Sequence, residues 1–126
     1  MKRLKVTYDY DFDRQYLDIR AGFAGAEFDD SVETVVRRDN VTVGLRIDGH
    51  PVYVRIRGAE NYNAVFEAVA KAARAKRALP ENLKVKLNSE CLTIMKEMAH
   101  EFQKQRLEKL DEALSADNVK YTVQCA

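Results

Sequence analysis

The stretch Val85-Lys86-Leu87-Asn88-Ser89-Glu90 decides how the rest of the chain is interpreted. Residues 83–87 alternate apolar and polar side chains, which predicts a short strand. Residues 92–102 carry apolar side chains at helical spacing, so the strand would lead directly into a long helix. Asn88 stands at that junction, where its side chain can accept from unpaired backbone N–H groups and cap the helix.

Strand spacing dominates the chain upstream of this stretch. Residues 4–8, 16–21 and 32–38 alternate, and residues 41–47 and 52–56 form the clearest pair of strands. Asp39-Asn40 is a turn signal after the third run, and Asp48-Gly49-His50-Pro51 is a strong hairpin signal inside the pair. The first half is therefore predicted to be antiparallel.

Apolar residues change to helical spacing after the hairpin. Residues 62–73 predict a helix that Asn61 or Asn63 can cap and that ends before Pro80. The apolar stripe at 107–114 follows residue 102 after a five-residue step, which predicts a kink or a break into two helices. A turn at 115–118 then leads into a last strand at 119–123. The prediction is an α/β domain with a mixed sheet, in which antiparallel strands precede helix, strand, helix or helix pair, and strand.

Length and charge limit the class of protein. The chain has 126 residues, which predicts a single domain over 1–126, and its formal net charge of +1 gives no global attraction to nucleic acid or anionic membrane. No apolar run is long enough to cross a membrane, and no signal-peptide pattern opens the chain, so a cytoplasmic protein without a membrane partner is predicted. Cys91 and Cys125 lack metal-type spacing and are expected to be two buried thiols.

The order of these segments resembles the ribonuclease H-like family. Asn61-Tyr62-Asn63-Ala64-Val65-Phe66-Glu67-Ala68 stands where that family usually has Thr-Asn-Asn-x-Ala-Glu-Leu, and Leu87-Asn88-Ser89 stands where it has Thr-Asp-Ser. The resemblance covers about residues 41–123 and implies a ribonuclease H-like mixed sheet, with residues 1–40 as extra or rearranged strands. Either residues 5–9 are the first strand with a hairpin inserted after it, or residues 16–21 are, with 5–8 as an added edge strand.

A second resemblance covers only the beginning of the chain. Tyr8-Asp9, Asp13 and Tyr16 are similar to small uncharacterised β-rich proteins that open with Tyr-Asp-x-x-x-Asp-x-x-Tyr. It accounts for none of the helical half.

Catalysis in the ribonuclease H-like family needs several carboxylates that converge on two metal ions. The resemblance places Asp9 at the first of four positions, or Asp18 under the other arrangement. It places Phe66 at the second position, with Glu67 one residue along, and Asn88 at the third; no acid follows the last strand. Asp9, Glu67 and Asn88 are therefore vestigial candidates, and neither a catalytic set nor a metal site is predicted.

Two basic groups are candidate nucleic-acid-binding surfaces. The first surrounds the end of the first helix and the following strand: Lys71, Arg74, Lys76, Arg77, Lys84 and Lys86. The second lies on the polar side of the hairpin: Arg46, Tyr53, Arg55 and Arg57. Arginines beside an aromatic ring suit phosphate contact and base stacking, and the small net charge predicts weak, salt-dependent binding. His50 and His100 are expected to be a turn residue and a helix-surface residue without partners.

These observations lead to the hypothesis of a non-catalytic ribonuclease H-like binding or adaptor protein. Its partner would be nucleic acid or a nucleic-acid-processing protein, and it would need no cofactor. One alternative is a divergent metal-dependent nuclease that uses Asp9, Glu67 and Asn88 with Mg²⁺. Another is a structural protein that self-associates through an exposed strand edge. The sequence leaves the oligomeric state open.

Overall fold

The computed structural model describes residues 2–23, 32–103, 108–115 and 117–126. Within them six strands form one sheet: β1 Lys2–Asp11, β2 Tyr16–Phe23, β3 Val32–Arg38, β4 Val41–Arg46, β5 Pro51–Arg57 and β6 Val119–Cys125. A 3-10 turn at Ala59–Asn61 follows β5, and the helices are α1 Ala64–Arg74, α2 Glu81–Gln103 and α3 Glu108–Ala113. The strand order is β3-β4-β5-β2-β1-β6. The prediction of an α/β fold with a mixed sheet is confirmed.

The strand pairing is antiparallel everywhere in this sheet except between β1 and β6, which run parallel. Because β1 lies between β2 and β6, the alternative with residues 5–8 as an added edge strand is wrong. The two predicted hairpin turns are confirmed. Asp39 has a φ of 53° and Gly49 a φ of 85°, and Asp48 Oδ1 accepts from the His50 N–H at 3.0 Å.

The predicted strand at residues 83–87 is wrong, because these residues form the first turns of α2. The helix starts after Pro80, whose carbonyl accepts from the N–H groups of Leu83 and Lys84 at 3.0 and 3.1 Å. Apolar residues two apart can belong to a strand face, but the outer two of three such residues are also four apart and share a helix face. Leu87 is buried, while Val85 is 49% exposed, as the helical alternative requires. The predicted order of helix, strand, helix and strand therefore becomes three successive helices before β6.

Asn88 does not cap a helix, so that prediction is also wrong. It lies inside α2 among buried apolar neighbours and is 2% exposed. The cap on α1 is confirmed at Asn63, whose Oδ1 accepts from the Phe66 N–H at 3.0 Å. The predicted break after α2 is consistent with a separate α3, although Leu107 lies outside the described residues.

The core lies between the helices and one face of the sheet. Strand period places alternate residues on that face, and the helices bury their apolar stripes against it. The largest fully buried side chains are Leu4, Leu17, Ile19, Leu45, Ile56, Phe66, Leu87, Leu92, Ile94, Met95, Met98 and Leu110. In the described ranges, no helix is both long and apolar enough to cross a membrane. The opposite face of the sheet carries the polar half of each strand pattern.

Candidate nucleic-acid interface

The basic hairpin group lies on the sheet face opposite the described helices α1, α2 and α3, which is named the helix-free face. Tyr53, Arg55 and Arg57 alternate with buried residues on β5, so they share this face. The register places Gly44 beside Tyr53 and Thr42 beside Arg55, and it places Arg37 beside Thr42 on the next strand. An open concavity of about 580 Å³ on this face is lined by Arg37, Thr42, Tyr53, Arg55 and Arg57 and by the turn at Asp39-Asn40.

The ring of Tyr53 lies across Gly44. A Cβ added at residue 44 would lie 2.7 Å from Tyr53 Cδ1 and 2.9 Å from its Cζ, so an alanine there could not coexist with the ring in this position. Glycine inside a strand often marks such a close approach. The arrangement seats an aromatic ring against the backbone of the sheet, where an unpaired base could stack on it.

Arg55 is held in place by Asp18. Its Nη2 donates to Asp18 Oδ2 at 3.0 Å and its Nε donates to Oδ1 at 3.4 Å, a two-point contact. Arg20 Nε lies 3.7 Å from the same carboxylate. Asp18 therefore neutralises part of the charge at the centre of the face and fixes the orientation of Arg55.

Arg37 and Arg57 line the same concavity as Tyr53, and neither has such a partner. Neither guanidinium lies within 4.0 Å of a carboxylate in the part of the chain that the structure describes. Each retains a planar fork of N–H donors that suits a phosphate oxygen pair. Sequence reasoning missed Arg37, although the two-residue turn at Asp39-Asn40 gives the register that places it beside Thr42.

Arg46, the fourth member of the predicted hairpin group, does not line this concavity. It lies at the end of β4, where its Nη2 donates to Asp48 Oδ2 at 3.0 Å. The β4–β5 register shifts between Gly44 and Leu45, so strand alternation does not carry through to this end of the hairpin.

The first basic group is dispersed. Lys71 pairs with Glu67 at 3.4 Å and Lys84 with Glu81 at 3.2 Å. Arg74 lies over the ring of Tyr10 and Lys76 over the ring of Phe12, at 5.8 and 5.6 Å from the centroids. Lys84 and Lys86 sit on α2 instead of a strand, so they point in different directions around the helix.

The three vestigial candidates occupy different layers of the molecule. Asp9 is exposed and belongs to the β1 positions that alternate with the buried Tyr8 and Tyr10, while Glu67 is exposed on α1 and pairs with Lys71. Asn88 is buried inside α2. Nowhere in residues 2–23, 32–103, 108–115 and 117–126 do three histidine, cysteine or acidic side chains form a group that could hold a metal ion.

Two further expectations need correction. His100 has a partner, because its Nε2 lies 2.9 Å from Asp111 Oδ1 and links α2 to α3. The prediction of two buried thiols is half wrong: Cys91 is buried, whereas Cys125 is exposed at the end of β6. Burial raises the pKa of the Cys91 thiol to about 12, so this thiol stays protonated in the folded state.

Comparisons of this chain with protein-family models, with curated proteins and with solved structures find no match.

Proposed function

We propose that this protein is a non-catalytic domain that binds single-stranded nucleic acid on the helix-free face of its sheet. A base stacks on Tyr53, and the adjoining phosphates contact Arg37 and Arg57. The observation that carries this proposal is the Tyr53 ring lying across Gly44 with these two arginines lining the same concavity.

Single strands are favoured over duplexes because the binding element is a ring face on an open sheet. Unpaired bases expose the faces that stack on aromatic side chains, and each stacked base contributes about 1–3 kcal/mol. The bases inside a duplex are already stacked on each other. The described residues that line the concavity belong to β3, β4, β5 and the turn at Asp39-Asn40, and none of them is on a helix that would enter a groove and read base edges. Preference for sequence is therefore expected to be small.

The charge distribution predicts modest affinity. Outward positions on the six strands carry the basic residues Arg3, Lys5, Arg20, Arg37, Arg55, Arg57 and Lys120 and the acidic residues Asp9, Asp11, Asp18 and Glu33. These basic residues outnumber the acidic ones, but Arg55 and Arg20 already form ion pairs with Asp18. Non-specific binding in the range of about 10⁻⁴–10⁻⁶ M at physiological salt is the expected magnitude.

Kinship with the ribonuclease H-like family, a role as an adaptor for a nucleic-acid-processing protein and a cytoplasmic location belong to the same proposal. The family kinship is supported by a hairpin followed by an asparagine-capped helix and by a last strand parallel to β1. The helix at Leu87-Asn88-Ser89 runs against it. For this reason the proposal rests on the sheet face and not on the family.

Fluorescence anisotropy with labelled single strands of about 12 nucleotides tests the binding. Tyr53→Ala should weaken binding by roughly 5- to 150-fold, because the stacking surface is lost. Arg37→Ala and Arg57→Ala should each lower the slope of log K against log salt by about one phosphate contact. Arg46→Ala is the matched control: it removes the same charge from the end of the hairpin, where Arg46 already pairs with Asp48.

Equal loss in the Arg46→Ala and Arg57→Ala proteins would refute a site at the concavity and leave only diffuse charge attraction. No retention of any single strand at about 50 mM salt would refute nucleic-acid binding itself. In that case a stable oligomer in light scattering would support the self-associating alternative. Cleavage of an RNA–DNA hybrid in Mg²⁺ that disappears in Asp9→Ala would instead support a nuclease.

A further inference from the structure

A second concavity lies on the other side of the sheet, at the carboxyl ends of the parallel strands β1 and β6. Its volume is about 480 Å³, within the range of small-molecule sites. Its lining comes from the end of β1 and the turn after it, from the end of β6 and from the segment after α1: Tyr8, Asp9, Tyr10, Phe12, Ala73, Lys76, Arg77, Ala78, Cys125 and Ala126. The crevice therefore lies beyond the carboxyl ends of the one parallel strand pair in the described sheet.

The floor of this crevice is aromatic. Tyr8 and Tyr10 are buried, and the rings of Phe12 and Tyr10 pack edge to face with their centroids 5.1 Å apart. Phe12 is nevertheless 52% exposed, so a large apolar surface faces the solvent at the rim. Burial and the neighbouring Cys125 raise the pKa of Tyr8, so its phenol remains protonated and can donate a hydrogen bond.

The rim is cationic, and one of its cations is held in an uncommon conformation. Lys76 has a φ of 54°, at the position after α1 where glycine is usual. The N–H of Lys76 donates to the Ala73 carbonyl and that of Arg77 to the Ala72 carbonyl, at 3.0 and 2.9 Å, which completes a Schellman turn. A lysine in this left-handed position carries a conformational cost that glycine would avoid.

In this backbone conformation, the ammonium group of Lys76 lies over the aromatic rim of the crevice. Lys76 Nζ lies 5.6 Å from the Phe12 ring centroid, and Arg77 lines the same crevice. Among the residues described, no carboxylate lies within 4.0 Å of either cation, and Asp9 is the one acidic residue among the lining residues. An apolar floor beneath two cations without ion-pair partners favours a ligand with a flat apolar body and an anionic group.

We propose that this crevice binds a small aromatic anion, whose ring packs on Phe12 and Tyr10 and whose phosphate or carboxylate group contacts Lys76 and Arg77. The site is separate from the helix-free face and does not depend on nucleic-acid binding there.

Cys125 supplies a direct measurement of occupancy. It is the exposed one of the two thiols and it lines the crevice, whereas Cys91 is buried. The rate at which iodoacetamide alkylates Cys125 is measured with adenosine 5′-monophosphate, with indole-3-acetate, with adenosine and with inorganic phosphate. At least one of the two aromatic anions should slow alkylation about tenfold at saturation, while adenosine and phosphate alone should have little effect. Protection by the nucleotide only identifies a phosphate ligand, and protection by indole-3-acetate only identifies a carboxylate ligand.

Variants then locate the anionic contact. Lys76→Gly removes the ammonium and suits the left-handed backbone, so the protein should fold while its affinity for the protecting anion falls about tenfold. Lys71→Gln is the matched control, because Lys71 lies on the last turns of α1, just before Lys76 but outside the crevice, and pairs with Glu67. The proposal is overturned if neither aromatic anion protects Cys125 at millimolar concentration, or if Lys76→Gly and Lys71→Gln bind equally well. Protection by adenosine as strong as that by its monophosphate would also overturn the anionic part.

Discussion

Replacement of Asn88 by leucine is expected to stabilise the protein. The Oδ1 atom of Asn88 is buried and has no hydrogen-bond donor among the described residues. A buried polar atom without a partner loses its hydration and gains nothing in exchange, at about 1–3 kcal/mol. Leucine branches at the same carbon as asparagine, so its two methyl groups can occupy the positions of the amide oxygen and nitrogen.

The magnitude follows from three contributions. Relief of the unpaired acceptor gives about 1–3 kcal/mol. Burial of a leucine side chain adds about 1.5–3 kcal/mol to the free energy of unfolding. The larger side chain must fit into a filled core, and this overpacking lowers the free energy of unfolding by about 1–3 kcal/mol. A net gain of about 2 kcal/mol in the free energy of unfolding is expected, which raises Tm by roughly 6–10 °C for a domain of this size.

Urea denaturation followed by circular dichroism measures this difference. Asn82→Leu is the matched control, since Asn82 lies in the first turn of the same helix and is exposed. There only helix propensity changes, so a gain of about 0.5 kcal/mol or less is expected. A lower stability in Asn88→Leu than in wild type, with Asn82→Leu unchanged, would refute the reasoning and mean that the Asn88 amide makes a stabilising contact.

Asn88→Asp introduces the residue that the ribonuclease H-like pattern has at this position, and a loss of stability at neutral pH is expected for it. Burial raises the pKa of a carboxyl group, so the folded protein would hold the proton more tightly than the unfolded chain. Stability should therefore be greatest below a pH of about 4 and decline as the pH rises above it. A stability independent of pH between about 4 and 8 would contradict the burial of this site.

Three further predictions concern other sites. Gly44→Ala should displace the Tyr53 ring, because the new Cβ would lie 2.7 Å from Tyr53 Cδ1, and should weaken single-strand binding without a change in charge. Asn63→Ala should lower stability by about 1 kcal/mol, because the helix cap on α1 and the contact of Asn63 Nδ2 with Glu90 Oε2 at 3.1 Å are both lost. Alkaline pH should destabilise the protein through Cys91, because burial in the folded state raises the pKa of its thiol from 9.0 to about 12. The tighter proton binding of the folded state contributes roughly 4 kcal/mol to the free energy of unfolding. This contribution is complete below pH 9 and is lost as the pH rises from 9 to 12.

Each of these predictions has its own control. Binding by Gly44→Ala that equals wild type would show that the ring position is irrelevant to the partner. Asn61→Ala changes a neighbouring exposed asparagine and should leave thermal unfolding nearly unaffected; equal loss in both variants would contradict the assigned cap. Cys91→Ala should flatten the alkaline dependence in urea denaturation, and an unchanged slope would assign it to the tyrosines instead.

Local signals in the sequence located the strands and turns of the first half, although a register shift between Gly44 and Leu45 interrupts the alternation at the end of β4. Asp39-Asn40 and Asp48-Gly49 close hairpins because these residues adopt turn conformations by themselves, and period-two alternation then fixes which side chains share a face. The same alternation placed Tyr53, Arg55 and Arg57 together correctly. The cap on α1 could be limited to Asn61 or Asn63 for the same reason, since a cap is a contact within three residues, and the structure selects Asn63.

Contacts between distant segments decided the rest. Leu83, Val85 and Leu87 fit both a strand and a helix, and only packing of α2 against the sheet, with Val85 left exposed, selects the helix. Because residues 81–103 form a helix, Lys84 and Lys86 lie apart from Lys71 and Lys76, and Asn88 is buried. The same helix also leaves β6 as the one described partner of β1 in parallel pairing. The sequence by itself therefore determined the turns and the alternation of the strands, because these depend on neighbouring residues. The helix at 81–103, the Tyr53–Gly44 contact and the crevice beside Lys76 were decided by the tertiary structure, because burial there depends on residues far apart in the chain.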